Sequence, residues 1–104
     1  MKAIEFSLAA RTELHAAADR YEREYRGRGH RFYDAVERAL KVIAALPTSA
    51  PLWPGVPESL AVRRRLVPGF PFALAFRERG ETVRIEAVAH TRRRPGYWRR
   101  RLAP

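Results

Sequence analysis

The chain is 104 residues long and 46% hydrophobic, enough to build one buried core and too apolar for a disordered segment. It has no cysteine, which excludes disulfides, thiolate metal sites and cysteine nucleophiles, and no apolar run approaches the roughly 20 residues of a membrane span. Lys and Arg outnumber Asp and Glu by 21 to 11, and unevenly: residues 1–60 carry 9 basic and 8 acidic side chains, residues 61–104 carry 12 and 3.

Ile4 and Phe6 alternate with polar neighbours, which predicts a short first strand, with Ser7 as N-cap of a first helix. The stretch Met1–Glu5 lacks the apolar block of a secretory signal, so a cytoplasmic protein is expected. From Leu8 to Arg26 apolar residues recur at Leu14, Ala17, Ala18, Tyr21 and Tyr25, one helical stripe. Gly27 and Gly29 break it. A second stripe runs through Phe32, Val36, Ala39, Leu40, Ile43 and Leu46, stopped by Pro47, so the two helices form a hairpin. Residues 47–61, with four prolines and Gly55, read as an irregular loop, with Trp53 inside it.

Strands resume at Val62–Val67, then Phe70–Phe76, and after a turn at Gly80 the last strand alternates Val83, Ile85, Ala87 and Ala89. The order is β-α-α-β-β-β over residues 1–104, a single α+β domain with an antiparallel four-stranded sheet covered on one face by the hairpin. Tyr97 to Leu102 is expected as one exposed helical turn. Strict alternation puts Val83, Ile85 and Ala87 toward the helices and His90, Arg63 and Arg65 together on the open face. A bulge would invert that assignment.

Of the 21 cations 19 are Arg, whose planar fork matches phosphate and stacks on bases, so the basic end suits nucleic acid or an acidic protein. Phe6-Ser7, Gly29-His30-Arg31-Phe32, Val62-Arg63-Arg64, Phe70-Pro71-Phe72 and Ala87-Val88-Ala89-His90, then Arg93, Pro95 and Tyr97-Trp98, succeed one another in an order that resembles the RelE/ParE superfamily of bacterial type II toxin–antitoxin toxins. The resemblance implies a small basic toxin neutralised by a cognate antitoxin with an acidic, amphipathic segment. RelE-like members cut messenger RNA on the ribosome, whereas ParE-like members poison DNA gyrase.

Cutting RNA through its 2′-hydroxyl needs a base, an acid and cations on the phosphate. The leading expectation is therefore a metal-independent messenger RNA endonuclease using His90, Arg65, Arg93 and Tyr97. Arg63, Arg92, Arg94, Arg99, Arg100 and Arg101 would contact the target, and neither metal nor other cofactor is expected. A gyrase inhibitor without nuclease activity is the alternative, and a basic nucleic-acid adaptor a third. Against these stand quieter roles: a strand-end hydrogen bond for His90, a latch across the sheet edge for Tyr97 and Trp98, solvated charge for the Arg clusters. Tyr21 and Tyr25 are expected in the core.

Overall fold

The computed structural model describes residues 1–94 and 96–102. Strand β1 (Ala3–Phe6) leads into α1 (Leu8–Glu24), α2 (Arg28–Ala45), then β2 (Arg63–Leu66), β3 (Phe72–Arg79) and β4 (Thr82–His90). The expected element order and α+β class hold. Ser7 caps α1, its Oγ accepting from the Ala10 N–H at 3.0 Å. The helix then ends at Glu24, one residue short of Tyr25, which is exposed, not buried as its place on the stripe implied. Leu46, just past α2, is likewise exposed.

Sheet order is β1-β4-β3-β2, and one pairing departs from expectation. β2, β3 and β4 form an antiparallel meander, but β1 runs parallel to β4, so the sheet is mixed. The reason lies in the hairpin. Glu13 reaches the Val88 N–H, so α1 climbs in the direction of β4; α2 then descends until the Ala44 carbonyl meets the Lys2 N–H. The loop after α2 then delivers the chain to β2, whose Arg63 is level with Phe76, Ile85 and the end of β1 at Phe6, and the up-down-up meander leaves β4 parallel to β1.

Helices and sheet enclose a core of Phe32, Val36, Ile43, Leu74, Phe76, Val83 and Ile85. At one end Phe32, Tyr21, Phe70 and Phe72 pack with centroids 5.0–6.1 Å apart, mostly edge to face. Gly27 supplies the positive φ of the interhelical link, +86°. Gly29 does something else: it lies inside the first turn of α2, and a Cβ there would stand 2.6 Å from the Ala18 carbonyl of α1. Gly29→Ala is expected to force the helices apart and cost about 2 kcal/mol, readable as a lower urea midpoint with an unchanged slope.

The other face of the sheet is covered too, which the sequence did not announce. Val62, Ala75, Ala87, Ala89, Trp98 and Leu102 form a second cluster, with Trp53, Val56, Leu60 and Tyr97 packed against it. Residues 97–102 are a 3₁₀ segment whose Trp98 and Leu102 are buried, so it is a latch and not an exposed turn.

This second layer goes with two errors of parity. Ala75 pairs with Ala87 and Phe76 with Ile85, so Glu86 is an inserted bulge residue. Beyond it Ala87 and Ala89 join the outer cluster while Val88 joins the helical core, the reverse of strict alternation. In β2, Arg63 and Arg65 pair with Phe76 and Leu74, which puts them on the helical side, and Arg64 falls on the outer side.

Candidate functional site

β1 stops at Phe6, opposite Ile85, so the outer edge of β4 beyond Ile85 has no strand beside it. Glu13 and Arg101 close that edge. Glu13 Oε1 accepts from the Val88 N–H at 3.0 Å, and the Arg101 guanidinium donates to the Glu86 carbonyl at 3.1 Å. Between them Arg101 grips Glu13 as a fork, at 3.0 and 2.9 Å, and the Tyr97 hydroxyl donates to Glu13 Oε2 at 2.5 Å. The tyrosine ring also has Arg93 above it at 3.7 Å and Arg101 at 5.3 Å. The 3₁₀ segment is thus strapped to α1 through one carboxylate.

These contacts set the protonation states. Burial works to raise the Glu13 carboxyl, but hydrogen bonds from Arg101, Tyr97 and the Val88 N–H together outweigh it and hold the group below its ordinary 4.5. Burial, together with the hydrogen bond to Glu13 and its charge, pushes Tyr97 up to about 12. At neutral pH the hydroxyl is therefore a committed donor and not a base.

His90 ends β4, half-buried, its ring packed edge to face with Phe72 at a centroid distance of 5.0 Å. Its Nδ1 accepts from the Arg92 N–H at 3.1 Å, leaving the proton of the neutral ring on Nε2. The strand-end hydrogen bond named as the quieter role is present. His90 also opens on two hollows. One is a small cleft on the outer side, about 140 Å³, shared with Trp53, Arg64, Arg93, Arg94, Tyr97 and Trp98. The other is an open groove on the helical side, where Ala16, Ala17, Phe72 and Val88 lie among Arg20, Arg23, Arg92 and Arg93.

The expected catalytic set is only partly assembled. His90, Arg93 and Tyr97 share the outer cleft, whereas Arg65 does not line it. Arg65 donates to Ser49 Oγ at 3.2 Å, and Arg63 to the Ala50 carbonyl at 2.6 Å, both steadying the turn after α2. Arg101, expected to face a target, is consumed by Glu13 and Glu86. Arg92, Arg94, Arg99 and Arg100 are exposed. Pro95 lies outside the described residues, among which no group of three or more potential metal ligands occurs.

Sequence reasoning missed Glu13, Arg64, Arg20 and Arg23. The two α1 arginines belong to a half whose charges nearly cancel, yet they lie beside Arg92 and Arg93. The cationic field accordingly gathers at one end of the slab, around the end of β4, and not across an open sheet face.

No family model matches the chain, and no curated protein does. Among solved structures, one described as the chromosomal ParDE TA system from P. aeruginosa superposes with a TM-score of 0.72 at 20% identity, covering 86% of this chain and 96% of that one. The fold is ParE-like. The resemblance seen in the sequence order therefore extends to three dimensions, including the hairpin and the mixed sheet.

Proposed function

We propose that the chain is the toxin of a type II toxin–antitoxin module, residues 1–104 acting as one domain, and that it inhibits growth in the ParE-like manner, by binding DNA gyrase, without cutting RNA. The observation that carries this reading is the commitment of Tyr97. With its hydroxyl held by Glu13 and its pKa pushed up to about 12, Tyr97 leaves His90 without a free acid–base partner in the outer cleft, and Arg65 lies on the other side of the sheet, so the set expected for nuclease chemistry is incomplete. His90, Arg93, Arg94, Arg99 and Arg100 are then target-contacting groups, while Arg92 faces the helical-side groove.

The helical-side groove supports the neutralising partner. Apolar side chains among four arginines suit an amphipathic acidic segment that orders on binding. The likeness to a ParDE system favours the same kind of partner. The reading implies a cytoplasmic protein, and no described helix is long and apolar enough to cross a membrane.

Purified protein is expected to inhibit gyrase supercoiling, and induction without an antitoxin should arrest growth with no new RNA ends. New messenger RNA ends that disappear in His90→Ala, with supercoiling unaffected, would establish the nuclease instead. Harmless expression would favour the adaptor.

A further inference from the structure

Trp98 is fully buried, yet its indole Nε1–H has no hydrogen-bond partner among the described residues. A buried donor without an acceptor is costly, so it marks a place where an acceptor belongs. Trp98 forms part of the wall of the outer cleft. Arg64, Arg93 and Arg94 line the same cleft, no carboxylate does, and none of the three forms an ion pair among the described residues. Three guanidiniums around a small hollow with Ala73, Ala89 and the Trp98 side chain in its wall raise the potential for an anion there.

Two features choose the anion. At about 140 Å³ the cleft is below the several hundred Å³ of ordinary ligand pockets, and suits one oxyanion group with a short stem. The tryptophan and tyrosine rings are also already engaged. Trp98 is sealed and meets Trp53 edge-on at 5.0 Å, Arg64 lies 5.7 Å over Trp53, and arginines lie over Tyr97. These contacts disfavour recognition of a nucleotide through base stacking here. We infer that the cleft between Trp53, Trp98 and the Arg93–Arg94 turn is a carboxylate pocket that receives an Asp or Glu side chain of a protein partner.

Trp98 is its own reporter, since the chain has only two tryptophans and Trp53→Phe assigns the second indole resonance. Titrating the full chain with the capped peptide Ala-Glu-Ala is expected to move the Trp98 indole N–H signal downfield to saturation. Arg64→Ala and Arg94→Ala should each weaken that binding roughly tenfold, as expected for losing a charged hydrogen-bond donor. Both side chains sit outside the Glu13 strap, so the variants should fold. The inference is overturned by any of three results: no saturable shift with the peptide, an equal response to Ala-Gln-Ala, or tighter binding of the dinucleotide UpU. None of these touches gyrase inhibition or RNA cleavage, which are measured separately.

Discussion

Glu13→Ala is expected to destabilise the protein by about 3 kcal/mol, because it strands a guanidinium fork, a tyrosine hydroxyl and a strand N–H together. For a domain of this size that is a fall of roughly 12–20 °C in Tm. Glu13→Gln should lose less, since the amide oxygen still accepts one of these bonds while the charge is gone. The effect carries a pH signature. The carboxyl's pKa is depressed on folding, so its contribution is complete above the ordinary 4.5 and is lost as pH falls through the lower folded value. Wild type and Glu13→Ala should therefore converge in stability in strong acid and separate toward neutrality, measured by urea unfolding across that range. A constant difference at every pH would mean that packing, and not the ion pair, holds the latch. Because the latch sets the position of Tyr97 and hence of Arg93, toxicity should fall along with stability.

How much of this was legible depends on what each residue reveals of its surroundings. The helical stripes were readable, since Ala17, Ala18, Tyr21, Phe32, Val36 and Ile43 are buried where a period of 3.6 puts them. The bulge was not. Ala87 and Ala89 are small enough for either face, so nothing in the alternation of β4 betrays the extra residue at Glu86. The outer cluster was hidden for a related reason: its cover comes from a proline-rich loop and a short 3₁₀ segment, neither of which has a strong period. Glu13 is the instructive case. It stands three residues after Ala10 and four before Ala17, both buried, so its place on the inner stripe could be read from spacing. Its partner Arg101 lies 88 residues further on, and only the folded chain brings them together.

Arg23→Glu combined with Arg92→Glu is expected to leave the fold intact and to cripple neutralisation by the antitoxin. Both side chains are exposed and neither forms an ion pair among the described residues, so each substitution should stay within about 0.5 kcal/mol of wild-type stability. Their value lies in where they sit, one on α1 and one beyond β4, lining the same groove with Phe72 and Val88. Reversing both changes the local field by four charges. An acidic segment approaching that groove should then associate roughly 10–1000-fold more slowly at low salt. The deficit should shrink as salt rises, because the Debye length falls to about 10 Å at 0.1 M and below that at higher concentration. In cells the double variant should still arrest growth while an antitoxin that rescues the wild type no longer does so. Unchanged rescue and unchanged association kinetics would move the antitoxin's seat away from this groove. Loss of toxicity with unchanged antitoxin association would instead make the same arginines the contact with the target.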